Sequence, residues 1–195
     1  MGSPSLQSAR FRRRRTVIVF AAVVVVWLIV DQATKLYFAG GAWQQAGSPE
    51  GPLPAVFRFA LTYNTGGAWS IFSGATWALG VFSLVVVAVV TVYLMAVASR
   101  ALPVEAVGAA LVAAGGVGNA IDRFSLGHVI DFIEPTFIDY PVFNVADIGV
   151  TCGVVLFLVG LFVRMGREER ARAAAKDATR DAERPAGRPG ASGRS

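Results

Sequence analysis

In the run VFNVADIGVTCGVVLFLVGLFV, residues 142–163, Asn144 and Asp147 stand three residues apart at the head of a segment otherwise suited to lipid. A carboxylate at the edge of a bilayer is costly, and an ionisable group at such a depth is functional by default. The residue counts narrow the chemistry. One histidine and one cysteine in the whole chain exclude a zinc site of the H-E-x-x-H kind. A serine nucleophile would have to borrow His128, and no G-x-S-x-G elbow occurs. Cys152 lies inside an apolar run with no base beside it, and no phosphate loop ends in Gly-Lys-Ser/Thr. Carboxylate chemistry is what remains. Two carboxyl groups held close together cannot both ionise easily, so one keeps a proton while the other stays charged, and the pair can both activate water and protonate a leaving group. Such a pair hydrolyses an amide with no metal, cofactor or covalent nucleophile. Asp122, Asp131 and Asp147 are the candidates, and spacing does not choose between them.

The elements that must position these groups are membrane spans. The chain is 54% hydrophobic and 16% charged, where a soluble domain carries about 25% charge. Four apolar blocks are near the ~20 residues that cross a bilayer as a helix: roughly Thr16 to Leu36, Ala75 to Ala98, Leu102 to Ile121 and Phe143 to Val163. The third is the weakest by hydropathy, with Glu105 and a run of glycines and alanines that suits helix–helix contact better than lipid. The first opens like a signal peptide, but DQATKLY rather than a small-residue cleavage site follows it, which predicts a retained span. Cys152 reads as a small buried apolar residue of the fourth span.

Five of the 18 Lys and Arg residues lie in residues 1–15 and nine lie from Arg164 onward, with Arg100 between the second and third spans. The positive-inside rule then puts both termini in the cytoplasm, and the basic flanks imply contact with anionic phospholipid rather than with nucleic acid. The expected organisation is a cytoplasmic N-terminus over 1–15, a four-helix membrane domain over 16–165 with external segments at 37–74 and 122–142, and a basic tail over 166–195. The first nine residues and the terminal PAGRPGASGRS read as disordered, while GREERARAAAKDATRDAER can prolong the fourth helix.

Alternating topology gathers Asp31, Lys35, Asn64, Asn119, Asp122, Arg123, Asn144 and Asp147 at the external ends of the spans. Asp31 and Lys35 are four apart and share a helical face, and Asn119–Asp122 and Asn144–Asp147 are three apart. Plain structural roles compete for each: a helix-stabilising pair for Asp31–Lys35, a helix–helix bond for Asn119, an interfacial anchor for Asp122–Arg123, an N-cap for Asn144 and a favourable dipole contact for Asp147. His128 reads as a rim residue, and Glu134 and Asp139 as solvated loop charges. In VFRFALTYN the residues Phe57, Phe59, Leu61 and Tyr63 share one face of a strand. GHVIDFI is a second strand-like stretch, with Gly127 as a turn or bulge, so a small external sheet is expected.

The stretches DQATK, NTGGAW, GGVGNAIDRFSLGHVIDFI and FNVADIGV, in that order, resemble the lipoprotein signal peptidase (signal peptidase II) family over about residues 16–165. The resemblance implies an all-α, four-helix membrane aspartic peptidase with a small β-structured cradle at about 40–68. It implies diacylglyceryl-modified prolipoprotein substrates cut immediately before the lipidated cysteine, and a site at the outer face of the bacterial cell membrane; the oligomeric state stays open, the architecture needing only a monomer. The aspartates of VIDFI and FNVAD, Asp131 and Asp147, match the family's catalytic pair. Asp31, Lys35, Asn64, Gly116, Asn119, Asp122, Arg123, Asn144 and Ala146 match its supporting positions. On this reading Asn119 and Asn144 orient the pair, and Asp122 and Arg123 brace a loop carrying Asp131. NTGGAW carries glycine and tryptophan where alanine and phenylalanine are more usual. A small proton-coupled transporter using the same aspartates, and a non-enzymatic scaffold, are the alternatives from other classes.

Overall fold

The computed structural model describes residues 4–51, 53–67 and 71–182. Seven elements follow in chain order: α1 (Pro4–Ala39), α2 (Ala42–Gln45), β1 (Phe57–Asn64), α3 (Thr76–Val97), α4 (Pro103–Leu126), β2 (Val129–Pro135) and α5 (Val145–Ala182). Four of these helices, α1, α3, α4 and α5, are long and apolar enough to cross a membrane. The helix of α1 begins at Pro4, so residues 4–9 are helical rather than disordered: the arginine-rich stretch continues the helix without a breaker. The fourth helix runs on to Ala182, and the terminal PAGRPGASGRS lies outside the described residues.

The helix with the poorest hydropathy is the centre of the bundle. In α4, 72% of the most apolar stretch is buried, against 11% in α1 and in α3. Small side chains make this possible. A Cβ on Gly108 would stand 2.7 Å from the Gly153 carbonyl and 2.8 Å from the Phe157 Cα. A Cβ on Gly153 would stand 2.8 Å from the Gly108 carbonyl, and one on Gly160 2.8 Å from the backbone of Glu105. The α4 and α5 backbones therefore touch along a line of glycines. Cys152 is exposed, not buried; one residue further on, Gly153 takes the packing face. Glu105, fully buried, is balanced from α5 by Arg164 at 3.0 Å, and the same guanidinium reaches the Tyr93 hydroxyl of α3. A charge that counts against a span when read alone thus ties three helices together.

Pro103 starts α4, its missing N–H costing nothing in the first turn. Gly127, at φ 78°, ends it as a left-handed cap rather than as a bulge. The helix outlasts its expected end at Ile121 and carries Asp122 and Arg123 in its last turns.

β1 and β2 form a two-stranded antiparallel sheet. Phe57 pairs with Pro135 and Phe59 with Ile133, but Thr62 pairs with Asp131 and Asn64 with Val129. The irregularity between Phe59 and Thr62 inserts one residue, so the strict alternation of odd residues breaks there. Past it, the even-numbered Thr62 and Asn64 come onto the face of Asp131. Glu134 is a strand residue rather than a loop charge, gripped by Arg58 across the sheet at 2.6 and 2.8 Å. The Arg58 guanidinium holds its carboxyl below the usual carboxylate range. Beneath the sheet, Phe38 of α1 stacks on Phe132 at 4.1 Å and meets Phe59 edge-on.

Replacing Gly108 with alanine sets a methyl against α5 backbone, which has no rotamer to give way. We expect the variant to lose about 1–3 kcal/mol, read as a lowered Tm in detergent relative to Gly166→Ala, where a Cβ meets nothing.

Candidate active site

The polar residues at one end of the bundle form a single connected network built around Lys35. Its ammonium, 2% exposed, has three donors and three acceptors: Asp31 Oδ2 at 3.0 Å, Asp122 Oδ2 at 2.9 Å and Asn119 Oδ1 at 3.0 Å. Asp31 and Lys35 project from one face of α1, and Asn119 and Asp122 from one face of α4, as their spacings require. Each partner then reaches a further element. Asp31 Oδ1 accepts the backbone N–H of Ala146 at 2.9 Å, which docks the first turn of α5 on α1. Asp122 Oδ2 accepts the backbone N–H of Ile130 at 3.2 Å, which sets the start of β2 one residue before Asp131.

Asp131 and Asp147 are reached through two asparagines. Asn119 donates from Nδ2 to Asp147 Oδ1 at 2.8 Å while its Oδ1 accepts from Lys35 and from Asn144 Nδ2 at 3.0 Å. Asn144 Nδ2 also lies 2.8 Å from Asp131 Oδ1 and 3.3 Å from the Ile130 carbonyl. Asn144 is a cap as well: its Oδ1 accepts the Asp147 N–H at 3.0 Å, and its own N–H lies 3.2 Å from Asp147 Oδ2. The second oxygen of Asp131 accepts from Asn64 Nδ2 at 3.1 Å.

Asn144 arrives beside Asp131 because residues 136–144 turn back along β2, where Phe143 exchanges backbone bonds with Ile133 at 2.8 and 3.0 Å. A cavity of about 220 Å³ results, walled by Asp131, Asp147, Asn64, Asn119, Arg123 and the stretch Tyr140–Phe143. Asp131 is 2% exposed, and Asp147 is half-buried. Burial, and then the negative charge of Asp147, push the Asp131 carboxyl up to about 7, against the opposing hydrogen bonds from Asn64 and Asn144. No three of the described His, Cys, Asp and Glu side chains gather as a metal-ligand set.

The matched residues do not all converge. Asp31, Lys35, Asn64, Asn119, Asp122, Asp131, Asn144 and Asp147 belong to the network, and Ala146 supplies its backbone N–H. Gly116 faces away, where a Cβ would stand 2.6 Å from Val87 of α3. Arg123 donates to the Gly66 carbonyl at 3.3 Å, so it steadies the segment after β1 rather than the strand carrying Asp131. Its Nε is buried with no partner among the described residues. Ala68 and Trp69 of NTGGAW lie outside the described residues. Three contributors escaped sequence reading. Trp27 donates to the Val145 carbonyl at 3.1 Å and covers Gly149. Gln32 donates to Asp31 Oδ2 at 3.0 Å. Gly118 leaves room for the Asp31 carboxylate, which a Cβ there would strike. A tryptophan within an apolar run carries no signal of its own, but Gln32 directly follows Asp31 and was open to notice.

Fold and site define a multi-pass membrane protein whose helices close over a carboxylate-lined cavity at one end of the bundle. Residues 23–163 match the family described as Signal peptidase (SPase) II. A lipoprotein signal peptidase of Microcystis aeruginosa is 36% identical over 76% of this chain and 94% of its own length. One of Pseudomonas putida is 41% identical over 69% of this chain and 81% of its own. A bacterial membrane enzyme solved by the in meso method superposes with a TM-score of 0.64 at 28% identity, over 76% of this chain and 90% of that one. The chain belongs to the signal peptidase II family, and is therefore a protease of the membrane.

Removing the ammonium at the centre of the network leaves Asp31 and Asp122 buried without their counter-charge. Lys35→Met is expected to destabilise the protein by about 3–5 kcal/mol, measured by thermal unfolding in detergent.

Proposed function

We propose that this chain is an aspartic endopeptidase that removes the signal peptide from diacylglyceryl-modified prolipoproteins, with Asp131 and Asp147 as its catalytic pair. The observation that carries this reading is the Asn119–Asn144 link, which ties each asparagine to one of two carboxylates walling the same cavity. The name lipoprotein signal peptidase borne by the relatives supports the substrate class. The basic flanks support cytoplasmic termini and a site at the outer face, where the acyl chains of substrate stay in lipid. One copy of the chain contains every group the reaction needs.

The pair shares one proton. The ionised carboxylate takes a proton from water as the water oxygen bonds to the scissile carbonyl carbon, and the protonated carboxyl gives its proton to the carbonyl oxygen. Collapse of the tetrahedral intermediate breaks the C–N bond, and a proton passes to the leaving amine. The apparent pKa values of this chemistry belong to the pair. Asn119 and Asn144 hold the two carboxylates in register.

Asp131→Asn and Asp147→Asn are each expected to abolish cleavage of a purified diacylglyceryl-modified precursor in detergent while leaving the protein inserted and folded; full processing by either variant would sink the assignment.

With the Asp131 carboxyl pushed up to about 7, raising the pH past that value strips the shared proton, so kcat/KM should fall on an alkaline limb near pH 7. The Asn64 hydrogen bond favours the charged form of Asp131. Asn64→Ala should therefore raise the carboxyl further and move that limb to higher pH. A limb that stays in place, or moves down, contradicts the role given to Asn64.

A further inference from the structure

The other end of the bundle holds a larger cavity, of about 480 Å³, walled by α1, the α3–α4 turn, the first turn of α4 and the cytoplasmic extension of α5. Five arginines line it: Arg12 and Arg15 from α1, Arg100 from the turn, and Arg164 and Arg167 from α5. Arg15 lies sixteen residues from Asp31 along one helix, so about 24 Å separates this cavity from the carboxylate network. The cavity has no part in the proteolytic reading and does not depend on it.

The charge balance of the lining is uneven. Glu168 is its one acidic side chain, and Arg164 holds it at 3.0 Å while also pairing with the buried Glu105. Arg12, Arg15, Arg100 and Arg167 are exposed and form no ion pair with any described residue. Four cationic forks from three separate parts of the chain therefore surround one concavity, none of them paired with a described carboxylate. A topogenic charge bias alone asks only that arginines lie on this side of the membrane. It does not ask that Arg12 and Arg15, three apart and so on one helical face, turn toward Arg100 and Arg167, while Arg13, Arg14, Arg170 and Arg172 stay out of the lining. Val19, Leu102, Pro103 and Ala106 give the wall an apolar part, beside the hydroxyl residues Thr16 and Ser99. At the same level of α1, on its other faces, Val17 and Ile18 are exposed. A ligand that fits has an anionic head for the arginines and hydrocarbon for the helix below them.

We propose that this cavity binds the phosphate headgroup of an anionic phospholipid, with Arg12, Arg15, Arg100 and Arg167 on the phosphate oxygens and the acyl chains along α1. Guanidinium groups suit phosphate oxygens through paired N–H donors, and basic pockets between spanning helices are a recurrent form of headgroup site. The bound lipid clamps α1, α4 and α5 together at the end where the bundle has no sheet to cover it.

The test uses the full chain, stripped of lipid in a neutral detergent and titrated with phosphatidylglycerol under native mass spectrometry. A saturable lipid adduct is expected, with phosphatidylcholine binding much more weakly. The triple variant Arg15→Gln, Arg100→Gln, Arg167→Gln should bind phosphatidylglycerol about 100-fold more weakly, given about 1 kcal/mol per arginine at a headgroup. The variant Arg13→Gln, Arg170→Gln, Arg172→Gln removes the same charge outside the cavity and should bind as the unaltered protein does. Equal loss in the two triple variants, or no loss in the first, overturns the site. Should the first triple variant fail to fold, Arg100→Gln alone, on the exposed turn, should weaken binding about fivefold, and unchanged binding there overturns the site as well. Inorganic phosphate separates the two sources of the anion: displacement of the lipid at equal phosphate concentration would overturn the assignment to a lipid.

Discussion

The structure depends on one buried ammonium. Lys35 brings a positive charge out of water at the end of a hydrophobic helix, and that cost is recovered only if every donor finds an acceptor. The three acceptors are Asp31, Asp122 and Asn119. Each is held in turn by, or holds, a different element: Asp31 fixes the start of α5 through the Ala146 N–H, Asp122 fixes the start of β2 through the Ile130 N–H, and Asn119 reaches Asp147. One charge therefore sets the relative positions of α1, α4, α5 and β2. The carboxylates Asp131 and Asp147 sit at the edge of that network, so their separation follows from how it places β2 and the first turn of α5.

Such a network can exist only where helices approach closely, and small residues on α4 and α5 allow that. The glycines at 108, 118 and 153 remove side chains where backbones or carboxylates would otherwise collide. Close approach has an electrostatic consequence at both ends. At one end it buries Asp31 and Asp122 against Lys35; at the other it buries Glu105 against Arg164 and Tyr93. The Lys35 pairs hold α4 against α1 and the Arg164–Glu105 pair holds it against α5, so charges at both ends of α4 fix its register and rotation. The end without a sheet then carries a surplus of positive charge, and this makes the arginine-lined cavity the natural place for a lipid phosphate.

Away from the spans, the sheet works by breaking its own rule. Strict alternation would keep Phe57, Phe59, Leu61 and Tyr63 together and turn Asn64 away from Asp131. The inserted residue between Phe59 and Thr62 reverses the parity, so the amide of Asn64 lies on an oxygen of Asp131 while Phe59 still packs on Phe38. The same two strands thus present aromatic side chains to the top of α1 and polar ones to the cavity.

Much was legible in the residues themselves. Hydropathy located the four spans, because lipid imposes a local and length-dependent requirement on each helix. The scarcity of histidine and cysteine points to the carboxylate chemistry proposed above, and spacings of three and four placed Asp31 with Lys35, Asn119 with Asp122, and Asn144 with Asp147. Motif resemblance singles out Asp131 rather than Asp122 for the proposed pair, which spacing alone does not. Tertiary structure decided which groups meet. It turned Gly116 toward α3, sent Arg123 to Gly66 instead of to β2, exposed Cys152, recruited Trp27 and Gln32, and drew five arginines around one cavity. The reason is geometric. Periodicity and composition report on one helix or strand at a time, whereas a contact between residues 35 and 122, or 64 and 131, depends on how each element is rotated against its neighbours, and that is set only when all of them pack together.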